Sequence, residues 1–270
     1  MSGAAHDYPE RLPHPRLQPF VSNYAGYLMT AASPGVHAGL PSGSLTMIIA
    51  FDEQLDVVDG HHYERHQFWA MLSGLHSAPA MVHHQGFQHG IQLDVTPRGA
   101  SALFGVPASA LARQLARLDD VAPQFGPELI DRVSTARTWR ARWAILDEIF
   151  LRVLNLDREL PAELEHAWAL LTTTHGSIAV VDLADQIGWS RRHFTKKFNE
   201  HYGLTPKTMA RILRFERAQR MLRLPTRPSL GSVAALCGYA DQAHMTRDWV
   251  EFAGSAPARW LASDLVPTEG

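Results

Sequence analysis

The apolar positions change period along the chain. From residue 21 to residue 97 they come in short runs of strand length. Leu45-Thr46-Met47-Ile48-Ile49-Ala50-Phe51, Gln67-Phe68-Trp69-Ala70-Met71-Leu72 and Ala80-Met81-Val82 are three of them, and Phe87, His89, Ile91, Leu93 and Val95 alternate between Gly86 and Thr96. Clusters of Gly, Pro, Ser and Asp separate the runs, as strands of a sandwich or barrel require. Residues 1–20 hold four prolines and little periodicity, and read as an arm or edge segment. From Pro97 the spacing turns helical. Pro107 to Leu118 predicts a short amphipathic helix with proline in its first turn. Trp139, Trp143, Leu146, Ile149, Phe150 and Val153 predict a helix of about five turns. Beyond Pro161 almost all of the chain reads as helix.

The last hundred residues contain an internal repeat. Its first copy is Leu183-Ala184, Ile187-Gly188-Trp189-Ser190, Phe194, Lys196, Phe198 and Gly203-Leu-Thr-Pro206. Its second is Val233-Ala234, Cys237-Gly238-Tyr239-Ala240, Met245, Arg247, Trp249 and Gly254-Ser-Ala-Pro257. The Gly-aromatic pair recurs at an offset of 50 and the later landmarks at 51, so one residue is gained in the turn or at the start of the next helix. Each copy predicts a helix-turn-helix. Gly188 and Gly238 stand where the chain leaves the first helix with positive φ. Phe194, Phe198, Met245 and Trp249 face inward. Between the copies Pro206 to Leu224 predicts a helix with Ile212, Phe215 and Leu222 on its apolar side. It also carries Arg211, Arg214, Arg217, Arg220 and Arg223, which drift round the helix. One or two suit phosphate contacts, and others pair with acids, such as Arg220 with Glu216.

The inward residues leave an outward face on each second helix. The first copy presents Arg191, Arg192, Thr195, Lys196 and Asn199, the second Asp241, Gln242, His244, Thr246 and Arg247. These side-chain types read base edges in a major groove. Charge agrees. The whole chain is nearly neutral at −2, but residues 1–169 hold 12 basic against 18 acidic residues and residues 170–270 hold 13 against 9. A net charge of +4 behind one of −6 points to nucleic acid at the C-terminal end. Asp241, Asp248 and Glu251 dilute the second copy.

The stretches Gly188-Trp-Ser-Arg-Arg-His-Phe-Thr-Lys-Lys-Phe, Gly203-Leu-Thr-Pro-Lys, Arg214-Phe-x-Arg-Ala and Cys237-Gly-Tyr-x-Asp-Gln-x-His-Met-x-Arg resemble the AraC/XylS family of bacterial transcription regulators. The resemblance covers about residues 165–263. It implies an α+β chain: an N-terminal β-barrel or sandwich-like domain with appended helices over residues 1–160, and an all-α domain of two helix-turn-helices joined by a linker helix over 161–270. It implies double-stranded promoter DNA as partner, with Arg192, Thr195 and Lys196 reading bases in the first copy and Gln242, His244 and Arg247 in the second. It also implies a small-molecule effector or a homodimer contact at the N-terminal domain, and RNA polymerase as a further partner of an activator. The helices over 107–118 and 137–155 offer a dimer face. The sequence departs from the family where Met245, Trp249 and Ala253 stand in place of the usual Phe.

The remaining residues point to no other chemistry. One cysteine, Cys237, excludes an intramolecular disulfide and a Cys-cluster zinc site, and fits a reducing, cytoplasmic compartment. The polar N-terminus does not read as a signal peptide, and no apolar run reaches the ~18 residues of a membrane span. Ten of the 15 histidines lie in residues 1–90. His61-His62 with His66, and His83-His84 with His89, are the candidate metal ligands. Adjacent histidines on a strand face opposite sides, so at most one of each pair faces an interior, and no metal or cofactor is assigned. No nucleophile elbow, P-loop or dinucleotide fingerprint is present, so the chain does not read as an enzyme. The competing reading is a metal- or small-molecule-binding β-barrel enzyme with a DNA-binding tail.

Overall fold

The computed structural model describes residues 6–7, 9–30, 33–156 and 160–264. Part of the expected arm (1–5 and 8), the chain beside the expected 160/161 boundary (157–159) and residues 265–270 lie outside the described residues. The N-terminal half forms β1 (His6–Asp7), β2 (Glu10–Arg11), β3 (Val21–Thr30), β4 (Gly35–Gly39), β5 (Leu45–Ala50), β6 (Leu55–Val58), β7 (Arg65–Phe68), β8 (Ala70–Ser73), β9 (Ala80–His84), β10 (Phe87–Val95) and β11 (Leu115–Arg117). Its helices are α1 (Pro97–Gly99), α2 (Ala108–Leu111), α3 (Leu118–Val121), α4 (Gly126–Thr135) and α5 (Trp139–Val153). The C-terminal half is helical: α6 (Ala162–Thr173), α7 (Val180–Gln186), α8 (Arg191–Tyr202), α9 (Pro206–Leu222), α10 (Leu230–Leu236), α11 (Gln242–Ala253) and α12 (Pro257–Asp264).

Alternation on β5 and β10 sets the main core. Leu45, Met47 and Ile49 stand opposite Val95, Leu93 and Ile91, and all six are fully buried. The register places the apolar side chains of neighbouring strands on one face, where each removes the other's surface from water. The antiparallel order is β1-β3-β10-β5-β8-β11, with β2 also on β3. Helix α5 lies against this sheet. Trp143 stacks on Tyr24 at 5.7 Å and Trp139 stacks on Trp143 at 5.5 Å. Asp147 holds the arm, accepting from the Arg11 guanidinium, the His14 N–H and the Tyr24 hydroxyl at 3.1, 2.9 and 3.3 Å. Burial, with the Asp147 charge beside it, pushes the Tyr24 hydroxyl far above its ordinary value.

Three expectations change. The sheets do not close into a barrel: a second sheet, β4-β9-β6-β7, stands beside the open main one. The apolar run 67–72 is two strands in different sheets, not one. Phe68 and Met71 bury in the small core with Leu55, Val57 and Val82, whereas Ala70 and Leu72 bury in the large one. The alternation breaks at Trp69, which is 43% exposed. The helix expected over 107–118 stops after one turn. Arg113 takes φ +60°, its N–H reaches the Leu75 carbonyl, and β11 then pairs with β8. Edge pairing satisfies these backbone groups where a lone amphipathic turn leaves them to water.

The two halves share one continuous core. The Gly43 N–H donates to Glu216 Oε2 on α9 at 3.1 Å, and Arg98 pairs with Glu165 at 3.3 Å. Gly203, just past α8, lies so close to Ser109 and Ala112 beside α2 that a Cβ there meets Ala112. The α2 segment thus faces the C-terminal half. The outer side of α4 and α5 is closed by Arg132 with Glu128 and Glu148, and by Arg152 with Glu128.

Gly26 tests the seat of α5. A Cβ there falls 2.5–2.8 Å from three ring atoms of Trp139. Gly26→Ala is expected to destabilise the protein by about 1–3 kcal/mol. A urea unfolding midpoint equal to that of the wild type overturns this packing.

Candidate nucleic-acid interface

Each helix-turn-helix is built by the same local rules. In the first, α7 ends at Ile187, and Gly188 takes φ +73°. Ser190 then caps α8, its Oγ accepting the His193 N–H at 3.3 Å. In the second, α10 ends at Cys237 and Gly238 takes φ +77°. Asp241 caps α11, accepting the His244 N–H at 2.6 Å. The extra residue of the second copy is thus in the turn, at Ala240. Both second helices end on left-handed glycines, Gly203 at φ +77° and Gly254 at φ +70°.

The inward faces fill two aromatic cores. Phe194, Phe198 and Tyr202 of α8 are buried, and Trp168 of α6 packs on Phe198 and Tyr202 at 6.0 and 4.6 Å. On α11 Met245, Trp249 and Phe252 are fully buried. Phe215 of α9 meets Trp249 and Phe252 edge-on at 4.9 and 5.5 Å, and Trp260 of α12 covers Trp249 at 5.4 Å. Met245 and Trp249 thus fill two of the three departing positions with large buried side chains, while the third, Ala253, is buried and small. Cys237 is a buried thiol beside Met221, and burial pushes its pKa up, so it stays protonated.

The arginines of α9 divide by neighbour. Arg211 grips Asp248 at 2.7 Å and Glu251 at 2.5 Å. Asp248 is only 2% exposed, so neither acid is a free charge subtracting from the outward face, contrary to the sequence expectation. Arg214 donates to the Gly176 carbonyl at 2.9 Å and lies over Tyr239. Arg223 lies over Trp260 at 4.9 Å. Glu216 is held by Gly43 instead of by Arg220. Arg217 and Arg220 form no ion pair among the described residues; they lie near His175, which burial and these two cations hold below the ordinary histidine range.

The predicted reading residues fall on the outward faces. Arg191, Arg192 and Lys196 of α8 are exposed, and Thr195 is half-buried. Lys196 stands 3.7 Å from Glu200 and Lys197 2.9 Å. On α11 Gln242 and Arg247 are exposed, whereas His244 and Thr246 are half-buried. The His244 ring meets Tyr239 edge-on at 5.2 Å and its Nδ1 faces the Ala240 N–H at 3.5 Å. The Thr246 hydroxyl donates to the Gln242 carbonyl at 2.9 Å. Two exposed residues of the same face, Ala243 and Val250, escaped the sequence reading; the offset of 51 from Arg192 and Asn199 was the signal for them.

The histidine groups are distributed otherwise. His61 and His62 sit in the turn after β6, where the Asp59 carboxylate accepts both of their N–H groups. His89 pairs with Asp52 at 2.7 Å. Among the described residues no group of three or more His, Cys, Asp or Glu side chains is placed to hold a metal ion. Two small open cavities flank this region. One, of about 220 Å³, is lined by Asp59, His61, His76 and Arg113, and one, of about 260 Å³, by Tyr27, His83, His84 and Phe87.

Two substitutions separate backbone from side-chain contributions. A Cβ at Gly188 meets nothing within 4 Å. Gly188→Val therefore tests the left-handed backbone alone and is expected to cost at least about 1–2 kcal/mol, whereas Gly188→Asn costs less. Equal melting of both variants and wild type overturns the turn geometry. Asp248→Ala leaves Arg211 part-buried beside only one acid and is expected to cost about 3 kcal/mol; a loss under 1 kcal/mol in chemical denaturation shows that the pair contributes nothing.

Comparison with known proteins places this geometry. Residues 183–263 match the family described as "Helix-turn-helix domain", and residues 9–117 match "Domain of unknown function (DUF6597)". The chain is 30% identical over 69 residues to the uncharacterized HTH-type transcriptional regulator YbfI of Bacillus subtilis, covering 26% of this chain and 24% of that protein. It is 29% identical over 85 residues to the HTH-type transcriptional regulator Rv1931c of Mycobacterium tuberculosis, covering 32% of each. The matches thus span a quarter to a third of these relatives. Solved structures of ToxT from Vibrio cholerae share the fold, at a TM-score of 0.52 and 11% identity over 88% of this chain and 97% of that one. One ToxT structure, with the same score and identity over 88% of this chain and 94% of that one, is bound to an unsaturated fatty acid. With two helix-turn-helices in order around α9 and this C-terminal match, residues 183–263 form a helix-turn-helix domain of the AraC type.

Proposed function

We propose that this chain is a sequence-specific transcription regulator that reads promoter DNA with α8 and α11. The observation that carries the proposal is the pair of outward faces. Internal partners take Arg211 and Arg214, while Arg191, Arg192 and Arg247 stay exposed with no ion pair among the described residues. Cations left free on a helix face are available to phosphates and guanine edges. Thr195 and Lys196 complete the first reading face, and Gln242, His244 and Thr246 the second.

The division falls near residue 160, with a sensing and dimerising domain before it and the DNA-binding domain after it. A small-molecule effector acts at the N-terminal domain. The ligand bound by a ToxT structure supports an effector on this fold. The effector works by population shift: the Gly43–Glu216 and Gly203–Ala112 contacts tie both domains together, so a ligand favouring one domain arrangement biases how α8 and α11 present themselves. RNA polymerase is the further partner if the output is activation, and a second copy of the chain the partner in a homodimer. No helix of the described residues is long and apolar enough to cross a membrane; the cytoplasm is the site of action that goes with promoter DNA as partner. The regulators that match the C-terminal domain support this reading over the enzyme alternative.

The test is titration of the full-length protein with its selected duplex. Arg192→Ala and Lys196→Ala are each expected to weaken specific binding by about 1–3 kcal/mol, with affinity falling steeply as salt rises. Unchanged affinity in both variants overturns α8 as a reading helix.

A further inference from the structure

Helices α8 and α11 correspond position for position at an offset of 51. Each starts one residue after its cap, Ser190 or Asp241, and each is 12 residues long. Their outward faces therefore present the same five helical positions. On α8 these carry Arg191, Arg192, Thr195, Lys196 and Asn199; on α11 they carry Gln242, Ala243, Thr246, Arg247 and Val250.

The chemistry offered at these positions differs. On α8 two guanidiniums are exposed with no ion pair among the described residues, and one ammonium is loosely tied at 3.7 Å. On α11 the Gln242 carboxamide makes no hydrogen bond among the described residues, and one guanidinium, Arg247, is exposed. The Thr246 hydroxyl is spent on the Gln242 carbonyl, which leaves its methyl group. Ala243 is exposed, and Val250 is 49% exposed. The pairing rules give each set a different target. Arginine takes the O6 and N7 of guanine in a bidentate pair, and glutamine takes the N6 and N7 of adenine. Small apolar groups lie against the methyl group of thymine.

We propose that the operator is an asymmetric two-part duplex, with a G·C-rich half-site read by α8 and an A·T-rich half-site containing one guanine read by α11. The assignment rests on the DNA-binding reading above and names its substrate. Asn199 on α8 accepts an adenine at the edge of the G·C-rich half. Arg247 supplies the lone guanine contact of the other half, and Ala243, Thr246 and Val250 select its thymines. The two centres lie about 10 bp apart if both helices enter one face of the duplex.

The experiment is selection from random duplex DNA by the full-length protein, followed by titration of the selected operator. Two dissimilar half-motifs of the stated composition are expected. Arg192→Ala is expected to flatten guanine preference in the G·C-rich half alone, and Gln242→Ala to flatten adenine preference in the A·T-rich half alone. Each is expected to lose about 5- to 150-fold in discrimination. Unchanged circular-dichroism melts confirm that both variants fold. Two alike half-motifs, or an Arg192→Ala effect in the A·T-rich half, overturn the assignment while DNA binding stands. Absence of any enriched sequence overturns the DNA-binding reading and the assignment together.

Discussion

The burial of α9 is the constraint on which the C-terminal half depends. Nine of its residues are buried, among them Met209, Ile212, Phe215 and Ala218 with no exposed surface. A single helix cannot remove that much apolar surface from water alone, so it collects neighbours on several sides. Phe215 seats Trp249 and Phe252 of α11. Ala210 lies against Gly176, which follows α6. Leu213 lies against Gly43 of the N-terminal half.

The same burial sorts the charges. Five arginines drift round α9, and a side chain that drifts toward a packed neighbour must find a partner or stay in water. Arg211 meets Asp248 and Glu251 across the α9–α11 contact. Arg214 meets a carbonyl and an aromatic face. These pairs orient α11 on the spine. Arg191, Arg192 and Arg247 remain exposed with no ion pair among the described residues, on the helix faces opposite the aromatic cores. Electrostatic availability on the outside is thus a by-product of packing on the inside.

Coupling to the N-terminal half follows from where the contacts fall. Gly43 reaches α9, and the segment around Ala112 touches the chain just past α8. The segment carrying Ala112 is the one that leaves the expected helix to pair with β8 as β11. The edge of the main sheet and the end of a recognition helix are therefore neighbours.

Much of the candidate site was legible because its signals are local. Left-handed glycines at 188 and 238, caps three residues before their N–H donors, and inward residues at helical spacing each follow from a few consecutive residues. Alternation on β5 and β10 is local in the same sense, and so are the outward faces that the inward residues leave on α8 and α11. Three things needed the tertiary structure. The run 67–72 looks like one strand until two separate cores claim its alternate residues. The segment 107–118 has a helical pattern, but the free edge of β8 offers its backbone better hydrogen bonds. Asp248 and Glu251 read as loose acids until Arg211, 37 and 40 residues away, is brought against them. The chain by itself determined what short-range sterics and periodicity dictate. The fold decided which charges are neutralised and which strands are shared, because those depend on partners that only a packed core places side by side.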